Sequence, residues 1–260
     1  MMNNPALQHD WRTPAIWAPL LTCWLLAVLV ATLHVNQTLF LALNGDHNER
    51  LWSSLTILGD SAVAIVLLLP FCGRSPRLIS ALFIAVVLGS IFVHVPKMIF
   101  DVTRPAGVLM PDQIQIIGPR LVRESFPSGH ATSAFIVAGL LIMYLRNAWR
   151  WLLLLPAVAI ALSRIVVGAH WPLDVLTGAG LGWLTAALST GLARRWTSGM
   201  TMAWQRGITA MLVIIDVAVL LAHDTRYPLA NWLQYSIGIA VIILAAPGIR
   251  RLFSSQEQLT

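Results

Sequence analysis

The chain has 260 residues, of which 57% are hydrophobic and 11% charged. A charged fraction under half the roughly 25% of a soluble domain excludes an ordinary water-soluble globule and points to a polytopic membrane protein. The net charge of +6 is no nucleic-acid signal, because the basic residues are scattered between apolar runs rather than gathered on one face.

The N-terminus is mildly polar through Thr13 and carries no cleavable signal pattern, so the first apolar run, residues 15–34, is expected to stay as an anchor. Its length matches the roughly 20 residues of a bilayer-crossing helix. Residues 36–50 read as a polar connection with a turn at Asn44-Gly45-Asp46. The second span is placed at 51–71, polar in its first half. A basic turn, Gly73-Arg74-Ser75-Pro76-Arg77, leads into the third, 78–95, which delivers Lys97 to its far end. Residues 96–127 form the longest non-apolar segment; a loop of that length is usually functional or disordered, and the polar blocks it carries favour the first. The fourth and fifth spans are placed at 131–145 and 149–167. The sixth, 173–192, holds Gly178, Gly180 and Gly182, which let another helix approach closely. Two shorter runs, 208–222 and 232–246, are read as spans seven and eight. The fold class is therefore an all-α polytopic bundle with six core spans and two C-terminal ones.

Chemistry concentrates in three short blocks between Lys97 and Asp174. They are Lys97-x6-Arg104-Pro105, then Pro127-Ser128-Gly129-His130, then Ser163-Arg164-x5-His170-x3-Asp174. Polar groups are costly inside a membrane protein, so such a set is a functional-site hypothesis by default. Lys97, Arg104 and Arg164 suit a phosphoryl clamp, the arginines offering planar forks of donors. Ser128 and Gly129 precede an apolar run, so they should open a helix, whose free N–H groups and dipole favour an anion. His170 and Asp174 are four apart; on one helix they share a face, and the carboxylate can hold the imidazole in one tautomer. His130 remains as a second, independent acid or base.

These blocks resemble the three-part signature of the type 2 phosphatidic acid phosphatase family, whose wider superfamily includes vanadium haloperoxidases. The match is complete at Lys97, Arg104, Pro105, Pro127, Ser128, Gly129, His130, Ser163, Arg164, His170 and Asp174. The resemblance implies a membrane lipid phosphatase working through a phosphohistidine. His170 would attack phosphorus, Asp174 would steady its imidazole, and His130 would protonate the leaving oxygen and then activate water. Lys97, Arg104, Arg164, Ser128 and Gly129 would hold the phosphoryl oxygens. The two histidines start in opposite protonation states, so a bell-shaped pH profile is expected. No cofactor is implied. Zinc held by His130, His170 and Asp174 is the competing reading, disfavoured because three nearby cations repel a metal ion.

The resemblance divides one membrane domain, 1–260, into a phosphatase core, 51–195, and a C-terminal extension, 196–260. The expected partners are the bilayer and a lipid phosphate substrate, with undecaprenyl pyrophosphate favoured. A phosphotransferase passing the group to a lipid such as lipid A, and an inactive lipid binder or transporter, are the alternatives.

Cytoplasmic loops are enriched in Lys and Arg. With the N-terminus inside, Arg12, Arg74, Arg77, Arg146, Arg150, Arg194, Arg195, Arg206, Arg250 and Arg251 lie inside. Arg50, Lys97, Arg104, Arg120, Arg123, Arg164 and Arg226 lie outside, three of them motif residues. The three blocks then meet at the extracytoplasmic face. Cys23 and Cys72 read as buried small hydrophobes. Asp216, in mid-run, reads as a packed structural hydrogen bond rather than part of a headgroup path. Trp11, Trp149, Trp151, Trp171, Trp183, Trp196 and Trp232 read mostly as an interfacial belt.

Overall fold

The computed structural model describes residues 13–45, 47–145 and 147–254. Trp11, Arg12, Asp46 and Arg146, named above, lie outside the described residues. The fold is all-helical. Helix α1 (Pro14–Thr32) starts on a proline, whose missing N–H costs nothing in a first turn. It bends by 108° into α2 (Asn36–Leu43), so half of the expected polar connection is helix.

The second run is also broken. Helix α3 (Glu49–Ile57) is capped by Asn48, and α4 (Ser61–Val66) by the Asp60 carboxylate, which accepts from Ala62 and Val63 N–H. The two helices meet at a 60° bend, with α4 continuing through a 3-10 turn to Phe71. Helix α5 (Pro76–Phe100) runs past the expected boundary and keeps Lys97 in its last turn. A one-turn helix, α6 (Pro105–Val108), interrupts the long loop. Then follow α7 (Gly129–Tyr144), α8 (Leu154–Val166), α9 (Pro172–Arg195), α10 (Met202–Leu221) and α11 (Asn231–Ser254).

Among the described residues, five segments are long and apolar enough to cross a membrane, or up to seven if each bent pair counts as one. Helix α7, at 16 residues, is apolar but short. The C-terminal helices are longer than the apolar runs that announced them.

Helix α9 lies at the centre. A Cβ on Gly178 would sit 2.5 Å from the Ser128 carbonyl, and one on Gly182 would overlap the Thr132 carbonyl, so both glycines set the approach of α7. Gly180 faces the other way, towards Trp24 of α1. Trp183 is fully buried, stacks on Trp151 and donates to the Ile16 carbonyl, so it is a core residue and not part of an interfacial belt. Trp171 is buried as well, whereas Trp149 and Trp232 are exposed. Leucines such as Leu21 and Leu25 point outward, as side chains that meet lipid tails do. Cys23 and Cys72 are free and buried. Asp216 is fully buried beside Gly238 of α11, and neither carboxylate oxygen makes a hydrogen bond among the described residues. The expected structural hydrogen bond is not formed.

Candidate active site

The third block is two helix ends joined back to back. Helix α8 closes in a Schellman turn: Gly168 N–H donates to Ile165 O and Ala169 N–H to Arg164 O. Gly168 has a φ of +77°, and a Cβ there would lie 2.6 Å from Gln115 O, so only glycine fits. The His170 N–H also donates to Arg164 O, at 3.1 Å, which folds the histidine back over the arginine. Pro172 then opens α9, and the Asp174 carboxylate reaches back to accept from Trp171 N–H at 2.9 Å. The intervals between Arg164, His170 and Asp174 are those of one helix stop followed at once by one helix start. His170 and Asp174 are therefore not on a common helix; they meet because Asp174 caps the helix that His170 precedes.

Both side chains are buried, and His170 Nδ1 lies 3.5 Å from Asp174 Oδ2. The other ring nitrogen, Nε2, is 3.1 Å from Arg104 Nη1. A guanidinium can only donate, so Nε2 carries the lone pair and the proton sits on Nδ1, on the carboxylate side of the ring but without a hydrogen bond among the described residues. Burial, then the charges of Arg104, Arg164 and Lys97 and the neighbouring His130, hold the His170 imidazole well below its usual pKa. The ring is thus neutral, with its Nε2 lone pair turned to the Arg104 guanidinium.

Arg104 is held by backbone carbonyls. Nε donates to Arg123 O (2.7 Å), Nη2 to Glu124 O (3.1 Å) and Nη1 to Ala169 O (2.9 Å). The loop that supplies the first two doubles back on itself, with Arg104 N–H to Val122 O and Ser125 N–H to Val102 O. An Arg123–Asp101 ion pair closes it on the exposed side. Lys97 Nζ donates to Glu124 O at 2.6 Å, in the same carbonyl cluster.

The second block behaves as its sequence predicts at the backbone. Ser128 is the N-cap of α7 and Gly129 its first residue. Ser128 N–H is taken by Asp174 O (3.0 Å), so of this pair only Gly129 has a first-turn amide free of that bond. His130 is half-buried against the bend between α3 and α4: a Cβ on Gly59 would lie 3.0 Å from the His130 Cβ.

Arg164 is buried at the end of α8. Its Nη1 donates to Thr56 Oγ1 (2.5 Å) and to the Tyr227 hydroxyl (2.9 Å), while Nε is buried without an acceptor among the described residues. The grouping of His130, His170 and Asp174 as zinc ligands does not form. Asp174 Oδ2 is occupied by Ser125 and Trp171, and no three His, Cys, Asp or Glu side chains cluster for a metal among the described residues.

Several residues escaped the sequence reading. Ser125 is fully buried and its Oγ donates to Asp174 Oδ2 at 2.5 Å. Asn44 donates to Gln115 O and Val166 O and accepts from Gln115 N–H, tying the end of α2 to the loop and to α8. Asn36 accepts from Leu173 N–H in the first turn of α9. The polar first half of the second run was the one available signal for Thr56; Ser125 stood two residues before a recognised block.

A profile described as the PAP2 superfamily matches residues 78–198, a stretch that contains all three blocks. The crystal structure of Aquifex aeolicus LpxE superposes with a TM-score of 0.55 at 30% identity, over 60% of this chain and 94% of that one. The chain belongs to the PAP2 superfamily. It is a multi-pass membrane protein of that superfamily, and the Lys97–Asp174 cluster lies wholly inside the matched stretch. An undecaprenyl-diphosphatase of Sulfolobus acidocaldarius is 35% identical over 111 residues, 42% of this chain and 50% of that protein. Phosphatidylglycerophosphatase B of Escherichia coli K12 is 36% identical over 75 residues, 27% of this chain and 30% of that protein. The matched stretch thus spans half or less of these curated relatives.

Proposed function

We propose that this chain hydrolyses the terminal phosphate or pyrophosphate of a membrane lipid through a phosphohistidine at His170. The observation that carries the reading is the orientation of His170. A buried, neutral imidazole presents the Nε2 lone pair to Arg104 and turns Nδ1–H towards Asp174. That is the ground state of a nitrogen nucleophile set among the cations that would bind its electrophile.

In the first step Nε2 attacks phosphorus and the bond from phosphorus to the lipid-side oxygen breaks. Burial and the charges of Arg164, Arg104 and Lys97 hold His130 below its usual pKa as well. It therefore takes up its proton when the negative phosphate binds and then gives it to that oxygen, while Asp174 stabilises the charged His170 ring. In the second step water attacks the phosphohistidine, His130 takes the water proton, the P–N bond breaks and phosphate leaves. Arg104, Arg164, Lys97 and the Gly129 amide hold the non-bridging oxygens. The buried Arg164 Nε, without an acceptor among the described residues, suits such an oxygen.

The named activities of the Sulfolobus and Escherichia relatives support a lipid phosphate substrate, and the first favours undecaprenyl pyrophosphate. An extracytoplasmic site is supported by the distribution of charge. Arg74, Arg77, Arg150, Arg194, Arg195, Arg206, Arg250 and Arg251 all lie at helix ends opposite those that carry the site. Arg226, exposed at the site end, offers a check of orientation. An Arg226→Cys variant should react with an impermeant maleimide from outside the cell; labelling from the cytoplasm alone would reverse the orientation.

The activity test is phosphate release by detergent-purified protein in EDTA from undecaprenyl pyrophosphate, phosphatidylglycerol phosphate and phosphatidic acid. Release is expected, fastest from undecaprenyl pyrophosphate, with a loss of at least about 10,000-fold in His170→Ala. Release that survives in His170→Ala would rule out the phosphohistidine.

A further inference from the structure

Two hydroxyl groups from outside the matched residues 78–198 grip the Arg164 guanidinium. Thr56 comes from α3, and Tyr227 from the linker between α10 and α11. Building on the lipid-phosphatase reading, we infer that Thr56 and Tyr227 are positioning residues that fix the plane of Arg164, so that its Nε edge faces the phosphoryl group.

The geometry supports a dedicated grip. Both hydroxyl oxygens accept from the same nitrogen, Nη1, at 2.5 and 2.9 Å. A guanidinium is planar, so fixing one terminal nitrogen between two acceptors fixes the direction of the remaining N–H groups. The buried Nε has no acceptor among the described residues. Thr56 and Arg164 are almost completely buried, and Tyr227 is 3% exposed, so water does not substitute for either hydroxyl.

Tyr227 is itself held firmly. Its ring packs on Gly118, where φ is +84° and a Cβ would lie 2.5 Å from the ring edge. The linker that presents it is anchored twice. His223 Nε2 lies 2.9 Å from Asp60 Oδ1, next to the bend that supports His130. Gln234 Nε2 donates to Val219 O (2.7 Å) and His223 O (2.8 Å), closing the linker on itself. The C-terminal region thereby reaches the candidate site through the Tyr227 side chain.

The test measures inhibition by orthovanadate, a five-coordinate mimic of phosphoryl transfer, alongside hydrolysis of short-chain phosphatidic acid. Tyr227→Phe keeps the ring and removes the acceptor. It should raise the vanadate inhibition constant and lower kcat/KM roughly tenfold, the size of one hydrogen bond to a charged group. Thr56→Val should do the same, while Thr56→Ser should restore wild-type inhibition; this pair keeps the test decisive if the tyrosine variant does not fold. A lower unfolding temperature in Tyr227→Phe and Thr56→Val with unchanged vanadate inhibition would reduce both residues to packing and overturn the inference alone. A wild-type protein that neither releases phosphate nor responds to vanadate would overturn the phosphatase reading and this inference with it.

Discussion

The two buried arginines of the site are held in opposite ways. Arg104 is fixed by three backbone carbonyls, from Arg123, Glu124 and Ala169, all within the signature region. Arg164 is fixed by two side-chain hydroxyls from segments 108 and 63 residues away in sequence. Carbonyl acceptors come with any residue type, so the Arg104 half tolerates side-chain change around it as long as the loop keeps its path. The Arg164 half depends on the identity of two specific residues. One site thus has a half written into the backbone and a half written into side chains.

The largest effect that would test this contrast is the loss of a clamp itself. Arg104→Ala should lower kcat about 100- to 1,000-fold, the range for removing one preorganised donor from a developing anion. It also frees three carbonyls that hold the loop, so the unfolding temperature should fall too. An Arg104→Ala enzyme with near-normal turnover would place the phosphoryl group elsewhere.

A smaller effect is expected at Ser125, the side-chain support of Asp174. Ser125→Ala removes a 2.5 Å hydrogen bond to a buried carboxylate. Hydrogen bonds to charged groups are worth about 1.5–3 kcal/mol, so a loss of roughly 10- to 100-fold in kcat is expected. An unchanged rate would show that Trp171 N–H alone suffices to aim the carboxylate.

The smallest effect is a displacement along the pH axis. Burial and neighbouring cations lower the His170 pKa, so the neutral, nucleophilic ring persists as pH falls through the ordinary imidazole value. The acid limb of kcat/KM should therefore lie below about pH 6.5. The same sign applies to folding: the unfolded chain takes up this proton first, so the His170 contribution to stability is present above that value and is lost as pH falls towards the lowered pKa. An acid limb displaced above 6.5 would mean that His170 is not the group titrating.

How much of this was legible follows the same divide. The all-helical class followed from hydropathy, and the motif residues that come together could be named because their spacing reflects local turns. Arg164, His170 and Asp174 are separated by a Schellman stop and a proline start, both readable in principle from Gly168 and Pro172. What could not be read was long-range. The bend after α1 hides in Asn36–Leu43, whose Leu39-Phe40-Leu41 looks too short and polar-flanked for a helix. The break at Gly59-Asp60 sits inside a run that hydropathy treats as continuous. Thr56 and Tyr227 carry no local pattern at all, because their role is defined by an arginine far along the chain. Trp183 was misplaced for a related reason: Trp is common at interfaces, but packing against Trp151 decided its place.

The Arg164–Tyr227 contact also has a consequence for the order in which the protein is made. When a nascent chain has been synthesised as far as the end of α9, every signature residue is present, and the turn from Arg164 to Asp174 can close on itself. Tyr227 emerges 63 residues after Arg164, so the last acceptor on its guanidinium arrives only when the chain has passed α10. Local turns form fast and distant contacts late. The grip on Arg164 therefore closes in two stages in synthesis order, Thr56 being present from the start and Tyr227 arriving only after α10.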